Sequence, residues 1–414
     1  MELVATRALG LRRRIQAPHT RHFLSWISAT PSQSTDSAND APSPVHVPVL
    51  LDETVSLWVN PLTKAARRDR EQTPEHADPS APRFFVDGTT GFGGHSKELL
   101  LRHPTATLLC IDRDPEVLAI ARANLKDFAS RIVFHRGSYA ELSPELLRAV
   151  HFPDEVDGIC VDLGANSFHF DEARRGFSYM RDGPLDMRYN QQDNSTLTAA
   201  DVLNTYSEVQ LTKIFREYGE ERLAKEYAKA IVRDRDERGV AFRTTADLRE
   251  CIERIARKWG SSSSGGKRRK SKNQNGGVTV HPATKCFQAL RIVVNDELTH
   301  VAAGVETLVT QLAPRGRLAT IAFHSLEDRP IKRLFRRLDT FTRRATDEEY
   351  EEYFDEDYYD EDDEEDDDDR DVLKRLGAKR FELVKRKAVK AKKNEVELNP
   401  RSRSARLRCL ERVV

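Results

Sequence analysis

A glycine-rich turn follows a short apolar run near position 85. Phe84, Phe85 and Val86 precede the string Asp-Gly-Thr-Thr-Gly-Phe-Gly-Gly-His at 87–95, and a helical stretch comes next. Glycine lets the backbone bend sharply and lie against a ligand with no Cβ in the way. A turn of this kind between a strand and a helix is typical of a site for a nucleotide-like cofactor.

The next apolar run indicates which cofactor binds. Residues 107–112 predict a second strand that ends in Asp112, about twenty positions after the turn, where a carboxylate can accept both ribose hydroxyls. A dinucleotide site would have a third glycine at the position of Ser96, to bring helix and strand close around a pyrophosphate. The sequence therefore favours S-adenosylmethionine over NAD. The alternative is an NAD-dependent oxidoreductase. Identifying the cofactor that co-purifies with the protein would distinguish the two functions.

Strand-like runs alternate with helical stretches at 83–87, 107–112, 132–135 and 158–163. Asp114 can cap the helix after the second run, with Pro115 in its first turn. This alternation predicts an α/β fold with a doubly wound, mostly parallel sheet. The next strand, 316–323, comes about 150 residues later, too far for a simple crossover. Helical periodicity at 211–218, 220–235, 245–256 and 283–312 predicts an inserted helical domain that overhangs the cofactor and holds substrate.

The charges are unevenly distributed along the chain. The 67 basic and 67 acidic side chains balance formally. About 19 acidic residues lie within 347–371, however, so the remainder carries about +18. A basic body is expected of a protein that meets nucleic acid. The acidic segment and the Ser/Gly/Lys/Arg-rich segment 261–277 are low-complexity sequences for which we expect no packed structure.

The first 43 residues have a composition of their own. Five arginines are interleaved with apolar residues, and no acidic residue occurs between Glu2 and Asp36. This pattern is typical of an organelle transit peptide. We expect a mitochondrial address, with a plastid as the alternative. A nuclear address through the basic string Lys267-Arg268-Arg269-Lys270 competes with both.

Cysteine spacing and hydropathy argue against some other classes of protein. The five cysteines are scattered and form no Cys-x-x-Cys pair, so neither a disulfide framework nor a zinc site is indicated. No other ligand cluster calls for a metal, and we expect none. No apolar run approaches the roughly 18 residues of a membrane-spanning segment.

Ten ordered motifs resemble those of the ribosomal RNA small subunit methyltransferase H family. The resemblance runs from about position 46 to the C-terminus and is interrupted by the two low-complexity segments. The motifs are His46-Val47-Pro48-Val49-Leu50-Leu51, Gly93-Gly94-His95-Ser96, Ile111-Asp112-Arg113-Asp114-Pro115, Arg175-Gly176-Phe177-Ser178, Asp182-Gly183-Pro184-Leu185-Asp186-Met187-Arg188, Tyr218-Gly219-Glu220-Glu221-Arg222, His281-Pro282-Ala283-Thr284, Phe287-Gln288-Ala289-Leu290-Arg291, Phe323-His324-Ser325-Leu326-Glu327-Asp328-Arg329 and Asn399-Pro400-Arg401-Ser402-Arg403-Ser404.

The resemblance implies a class I S-adenosylmethionine-dependent methyltransferase fold with an inserted helical domain. It also implies methyl transfer to the N4 amine of a cytosine in the decoding region of small-subunit rRNA, either naked or in an assembling subunit. Carried over residue by residue, the implied cofactor contacts are Gly93, Gly94 and His95 in the turn, Asp112 at the ribose, Tyr139 near the adenine, Asp162 beside the methionine end, and His169.

The chain departs from the family pattern near the methionine end. The family has Gln at the position of His169 and Val-Ser-Ser at the positions of Ala165, Asn166 and Ser167. We therefore expect a different hydrogen-bond pattern there. The same departures support an alternative function, a catalytically weak rRNA-binding factor for ribosome assembly that keeps the fold.

Residues after the fourth and fifth strands are the best-placed candidates for catalysis, because ligands collect at the carboxyl ends of strands in such sheets. They are Asp162, Asn166, Ser167 and His324. The cytosine amine is a weak nucleophile and the sulfonium an activated donor, so alignment matters more than a strong base. An acceptor on the N4 hydrogen would take the proton. Alternatively, His324, Ser325 and Asp328 form a helix-start box.

Two groups of polar residues are candidates for RNA contact. Gln288, Arg291 and Asn295 share a face of the helix after His281, opposite an apolar stripe, and an ordinary solvated face is the alternative. Arg401 and Arg403 lie in a basic C-terminal region and are expected to contact phosphates, with a solvated tail as the alternative.

The predicted organisation is a transit peptide and linker at 1–43, a methyltransferase domain at 44–175 and 283–414, an inserted helical substrate domain at 176–282, and a disordered acidic insertion at 346–371. The sequence leaves open the target nucleotide, the form of the rRNA substrate, the oligomeric state and the proton acceptor.

Overall fold

The computed structural model describes residues 48–59, 82–262, 281–346, 376–377 and 379–413. The predicted transit peptide and most of the two low-complexity segments lie outside these ranges.

Seven strands form one sheet in the order β3-β2-β1-β4-β5-β7-β6. Strands β1 to β5 are mutually parallel, and β7 runs antiparallel to both β5 and β6. The strand order reverses between β1 and β4, which is where ligands bind in doubly wound sheets. The bounds are β1 Arg83–Asp87, β2 Ala106–Asp112, β3 Ile132–Arg136, β4 Val156–Asp162, β5 Leu312–Ala322, β6 Phe381–Leu383 and β7 Arg406–Arg412.

Helices occupy the connections between these strands and the long segment between β4 and β5. In chain order the described α-helices are α1 Leu51–Val59, α2 Gly94–Arg102, α3 Pro115–Asn124, α4 Pro144–Ala149, α5 Ser167–Asp171, α6 Ala199–Thr205, α7 Glu208–Glu217, α8 Ala224–Arg238, α9 Thr245–Ser262, α10 Ala283–Asn295, α11 Glu297–Thr310, α12 Ser325–Thr346 and α13 Lys393–Leu398.

Each face of the sheet carries its own apolar core, because alternate residues of a strand point to opposite sides. Val86, Leu109 and Ile111 pack on one side with α11 and α12. Phe85 and Leu108 pack on the other side with α1 and α2. Helices thus cover both faces, which confirms the predicted doubly wound α/β fold.

A third core, made of helices and loops, lies between β4 and β5 in sequence. Its buried side chains fall between positions 185 and 294. The sequence boundaries assign the helix that begins at 283 to the sheet domain, but Ala283, Phe287 and Leu290 are buried in this helical core instead. The helical core therefore extends further along the chain than the predicted boundary.

The predicted helical stretch 283–312 is two helices rather than one. Asp296 adopts a left-handed conformation, with φ 50° and ψ 41°, that ends α10 and precedes α11. Aspartate tolerates this conformation better than most residues, and hydrophobic periodicity does not reveal a break of one residue. The break places Glu297 where its carboxylate contacts Arg291 of the preceding helix.

The predicted cap of α3 is confirmed. Asp114 caps α3 by accepting hydrogen bonds from the backbone N–H groups of Glu116 (2.9 Å) and Val117 (3.4 Å), and Pro115 stands in the first turn. All five cysteines are buried and unpaired. Among the residues that the structure describes, no helix combines the length and apolar character needed to cross a membrane.

Candidate active site

The glycine-rich turn connects β1 to α2 at the carboxyl edge of the sheet. Gly93 has a φ of 81°, and a Cβ on it would lie 2.7 Å from Cδ1 of Leu125. A Cβ on Gly94 would lie 2.2 Å from Cγ of Pro48. The tight turn is as the sequence predicts, and both positions need glycine because the chain approaches itself closely. Contact of Gly93 and Gly94 with the cofactor stays a prediction.

Asp112 is bonded to this turn. Its Oδ2 accepts a hydrogen bond from the backbone N–H of Gly91 (2.9 Å), and its Oδ1 accepts one from that of Asp114 (2.9 Å). A carboxylate has about four acceptor positions, so each oxygen can accept a further hydroxyl. The side chain is partly exposed, as an acid that binds a ribose must be.

Three carboxylates converge on this edge, at the ends of β1, β2 and β4. Burial raises the pKa of Asp87 to about 6 and that of Asp112 to about 7. Burial, together with the charges of Asp87 and Glu327, raises the pKa of Asp162 well above its ordinary range. Such a group favours a cationic ligand and disfavours a pyrophosphate. The residues therefore fit the positively charged S-adenosylmethionine and do not fit NAD.

The hydroxyl of Ser96 explains why no third glycine is present. It donates a 2.6 Å hydrogen bond to Oδ2 of Asp87 and so ties α2 to the end of β1.

His95 and Tyr139 lie at the same edge but are mostly enclosed. The Nε2 of His95 is 3.0 Å from the backbone oxygen of Val49. Tyr139 packs between Gly88 and Gly304, whose added Cβ atoms would lie 2.8 Å and 2.6 Å from its side-chain carbons. Each side chain is 7% exposed, so any cofactor contact is limited to a small part of its surface. Both cofactor contacts stay predictions.

Two side chains at the ends of β4 and β5 hold buried polar atoms without hydrogen-bond partners. Among the described residues, Oδ1 of Asp162 and both ring nitrogens of His324 are in this state. The sheet brings them to one edge, because Asp162 is in register with Ile321, shortly before His324. Buried polar atoms are normally hydrogen-bonded, so this edge is suited to a ligand that supplies donors.

Four further residues form a network of polar contacts with His324, which we call the edge network. Oε1 of Glu327 is 3.1 Å from Nε2 of His324, at ion-pair distance but not aligned as a hydrogen bond. The guanidinium of Arg291 lies 2.9 Å from Glu297 and 3.9 Å from Glu327. The hydroxyl of Tyr189, which precedes α6, donates to Glu297 at 2.8 Å. The network therefore connects the segment between β4 and β5 to the end of β5.

Ligand atoms of Glu297, His324 and Glu327 lie within 4.8 Å of one another, close enough to share a metal ion. The guanidinium of Arg291 already supplies positive charge to both carboxylates. Charge balance therefore requires no metal, and the expected absence of one stays a prediction.

The helix-start box that the sequence allows for His324 does not form through Asp328. The Asp328 carboxylate instead accepts hydrogen bonds from Arg406 (2.9 Å) and Arg408 (2.7 Å) of β7. Asp328 therefore attaches α12 to the C-terminal strand.

His169 has a structural role that corrects the expected cofactor contact. Its Nδ1 accepts a hydrogen bond from the backbone N–H of Asn166 (3.2 Å), and its Nε2 is 2.9 Å from Oδ2 of Asp114. The ring is 4% exposed and stacks on Phe177 at 4.9 Å. Both ring nitrogens are used within the protein, so neither is available to the cofactor.

Asn166 completes the same cap. Its side-chain oxygen accepts a 3.2 Å hydrogen bond from the backbone N–H of His169, so the two residues cap α5 reciprocally. This pairing accounts for His169 and Asn166, two of the residues at which the chain departs from the family pattern. Ser167 is the first residue of α5 and is partly exposed. Catalysis by Asn166 or Ser167 stays a prediction.

The polar face of α10 is turned inward at Asn295 and Arg291, which corrects the RNA contact expected of these two residues, whereas that of Gln288 stays a prediction. Asn295 is 3% exposed, donates to the backbone oxygen of Met187 (2.7 Å) and accepts from the backbone N–H of Tyr189 (2.9 Å). Arg291 belongs to the edge network. Gln288 is half-buried and donates to the backbone oxygen of Tyr218 at 3.3 Å. Asn295 and Arg291 thus hold the segment between β4 and β5 in place rather than face RNA.

Arg401 is exposed and lies beside α5, although the two are 230 residues apart in the sequence. Its guanidinium is 3.5 Å from Oδ1 of Asp171 and 5.4 Å from the centre of the Phe170 ring. Arg403 is also exposed. The phosphate contacts expected of both arginines stay predictions, and Arg401 lies next to the loop that follows β4.

Sequence reasoning missed three members of the edge network. Glu327 lies within the motif at 323–329 but was not predicted to act at the site, although a His and a Glu three positions apart at a helix start are a visible signal. Tyr189 and Glu297 are separated by 108 residues, and neither belongs to a local pattern that would reveal their contact.

Comparison with known proteins gives consistent matches. A family model described as the MraW methylase family matches residues 43–347. A ribosomal RNA small subunit methyltransferase H of Mycobacterium avium is 37% identical over 379 residues, which cover 90% of this chain and 83% of that protein. Proteins of the same name from Thermobifida fusca (39% identical; 74% and 82% covered) and Treponema denticola (35% identical; 89% and 98% covered) are also similar.

Proposed function

Because this chain belongs to the MraW methylase family and is an S-adenosylmethionine-dependent methyltransferase, we propose that it methylates the N4 amine of a cytosine in the decoding region of small-subunit ribosomal RNA. The names of its relatives support the rRNA substrate. The resemblance of its motifs to those of that family supports the cytosine amine.

One observation carries the choice of an amine. An exocyclic amine offers two N–H donors, and the unused acceptors of Asp162 and His324 lie at the edge where the base would enter. A base carbon offers no such donor and needs activation by a nucleophile such as a thiolate. All five cysteines are buried, and burial raises the pKa of each thiol. None is placed to supply that thiolate.

The chemistry then depends on orientation. S-adenosylmethionine supplies a methyl group that is already activated by the sulfonium. Asp162 and His324 hold the amine by its hydrogens, which directs its lone pair toward the methyl carbon; alignment of this kind can contribute several kcal/mol, about 7 or more in the best cases. The N4 proton leaves to one of these acceptors after transfer.

The RNA reaches this edge past the exposed arginines. The proposed phosphate contacts are Arg401, which lies beside α5, and Arg403, and such contacts set affinity and salt dependence rather than base choice. Phe170 is partly exposed beside Arg401 and offers a stacking surface. A target cytosine leaves its stack at low cost in single-stranded rRNA.

The substrate compartment is proposed to be an organelle, with the mitochondrion first and a plastid second. The Arg-rich, acid-poor composition of residues 1–43 supports this address. Fluorescent fusions of the full chain and of a chain lacking residues 1–43 test it. Loss of organelle signal in the truncated fusion is expected, whereas nuclear signal from both fusions would refute it.

The reaction is tested with purified protein, labelled S-adenosylmethionine and small-subunit rRNA or subunits from cells lacking the protein. We expect N4-methylcytidine in nuclease digests by mass spectrometry. Methylation at another atom, or none with either substrate, would contradict the proposal.

The alternative, a catalytically weak assembly factor, has lost its main support. The changes at His169 and Asn166 form a cap for α5 rather than a damaged cofactor pocket. Full activity on rRNA would exclude this alternative.

A further inference from the structure

The side chain next to His324 decides which of its ring nitrogens carries the proton. A neutral imidazole has one N–H donor and one acceptor nitrogen. Oε1 of Glu327 lies 3.1 Å from Nε2, whereas Nδ1 is buried without a hydrogen-bond partner among the described residues. The contacts of Glu327 therefore bear on what Nδ1 can do.

Glu327 is held as a carboxylate. It is 1% exposed, and its Oε2 accepts a 2.8 Å hydrogen bond from the backbone N–H of Phe323. Burial alone would raise the pKa of Glu327, but His324, Arg291 and the Phe323 N–H together lower it below its ordinary value. An ionised carboxylate only accepts hydrogen bonds, so it favours the His324 tautomer with a proton on Nε2.

From this geometry we infer that Glu327 is a positioning residue that holds the His324 proton on Nε2 and leaves the Nδ1 lone pair for the substrate amine. The inference rests on the proposed function. N4 gains the methyl carbon through its lone pair, the electron pair of the broken S–C bond stays on sulfur, and an N4 proton passes to Nδ1. Glu327 then stabilises the resulting imidazolium.

The variant Glu327→Gln tests this role with almost no change in volume. Of the two Glu327 oxygens, Oε2 accepts from the Phe323 N–H and Oε1 faces Nε2 of His324 at 3.1 Å. Glutamine has one oxygen and one NH2 group. If its oxygen keeps the Phe323 bond, the NH2 group faces Nε2, which must then accept. The His324 proton moves to Nδ1, and the lone pair that the amine needs is lost.

The first measurement uses the full-length chain with 15N-labelled histidine. The His324 signals are assigned by their absence in His324→Asn. We expect the Nε2–H tautomer in the wild type and the Nδ1–H tautomer in Glu327→Gln. This readout needs no activity, so it separates failure of the inference from failure of the proposed function. An Nδ1–H tautomer in the wild type would overturn the inference.

The second measurement is a double-mutant cycle in single-turnover methylation of rRNA. We expect Glu327→Gln to lower the rate tenfold or more, with the apparent rRNA affinity and the dissociation constant for S-adenosylhomocysteine within twofold of the wild type. Glu327→Gln should have no further effect in the His324→Asn background, because it acts through His324.

The matched control is Glu145→Gln, the same change at an exposed position on α4. It should leave the rate unchanged. A wild-type rate in Glu327→Gln, or effects of the two variants that multiply, would overturn the inference. Loss of folding in Glu327→Gln leaves the tautomer of the wild type as the deciding measurement.

Discussion

Two buried acidic sites in this molecule look alike in sequence and differ in how their atoms are used. Asp114 is fully buried, and its oxygens accept from two backbone N–H groups, from Arg175 and from His169. Asp162, at the end of β4, keeps a buried oxygen, Oδ1, that accepts no hydrogen bond from any described residue. A carboxylate whose oxygens are all bonded is part of the framework, whereas one with an unused oxygen is available to a ligand.

The pKa values of Asp114 and Asp162 shift in opposite directions, in agreement with this difference in bonding. Burial alone would raise the pKa of Asp114, but the His169 hydrogen bond and the charge of Arg175 together lower it. Burial raises the pKa of Asp162 with no compensating partner. The ionised Asp114 therefore stabilises the fold, while the ionised Asp162 destabilises it until a cation or donor arrives.

The largest expected effect is on stability, at Asp114. Asp114→Asn should lower the free energy of unfolding by about 3–5 kcal/mol, as removal of one partner from a buried ion pair does. Among the described carboxylates, Arg175 would retain only that of Glu116, which is exposed and 3.5 Å away. Urea unfolding followed by circular dichroism measures this. If the free energy of unfolding fell by less than about 1 kcal/mol, the contacts of Asp114 would not be important for the stability of the fold.

The corresponding substitution at Asp162 should lower the methylation rate rather than the stability of the fold. Asp162→Asn should slow single-turnover methylation about 100-fold, equivalent to roughly 2.7 kcal/mol. It should not lower the free energy of unfolding at pH 8, because it removes a carboxyl group whose ionisation is disfavoured by burial. Should Asp162→Asn unfold as readily as Asp114→Asn, the two sites would not differ in kind.

The pH dependence of stability sharpens the comparison at Asp112. Its pKa is about 7 in the folded, cofactor-free chain and near 3.8 when unfolded. Between these values the folded state keeps a proton that the unfolded state has lost, so stability falls as pH rises and the loss is complete above pH 7. In the wild type, the free energy of unfolding should therefore fall by on the order of 2 kcal/mol between these two pH values, allowing for solvent screening. In Asp112→Asn this fall should be absent.

The same variant should lose affinity for S-adenosylhomocysteine, which isothermal calorimetry would measure. A variant that is both more stable at pH 8 and unable to bind identifies Asp112 as a ligand group. Unchanged binding would remove Asp112 from the cofactor site.

The smallest effects are expected at the two exposed arginines that we propose contact RNA. Arg401→Ala and Arg403→Ala should each weaken rRNA binding by about 1 kcal/mol or less and reduce the slope of log K against log salt by about 1. Arg148→Ala, an exposed arginine on α4, is the control. Filter binding at several salt concentrations measures this, and equal slopes for all three variants would exclude the proposed contacts.

The parts of the fold that depend on neighbouring residues were predictable. Strand–helix alternation, the Gly93–Gly94 turn, the Asp112 strand end and the Asp114 cap follow from local pattern and backbone geometry. Periodicity identified the polar face of α10 but could not show whether that face is exposed to water or buried. Asn295 is buried because it bonds to the backbone of Met187, 108 residues away in the sequence.

The candidate site shows the same limit. The sequence placed Asp162 and His324 at the right edge, since parallel strands end together. The cofactor contact predicted for His169 is wrong, because its imidazole ring stands where the family has the amide of a glutamine. The ring bonds to Asp114 instead. The contact with Asp114 crosses 55 residues, and no spacing rule describes it.

The left-handed residue Asp296 has a mechanical consequence. Glu297 directly after it is bonded both to Tyr189, from the segment between β4 and β5, and to Arg291, which neighbours the carboxylate beside His324. A tilt of that segment would therefore shift Glu297 and, through Arg291, the carboxylate beside His324. One side chain couples the orientation of the helical segment to the environment of the histidine.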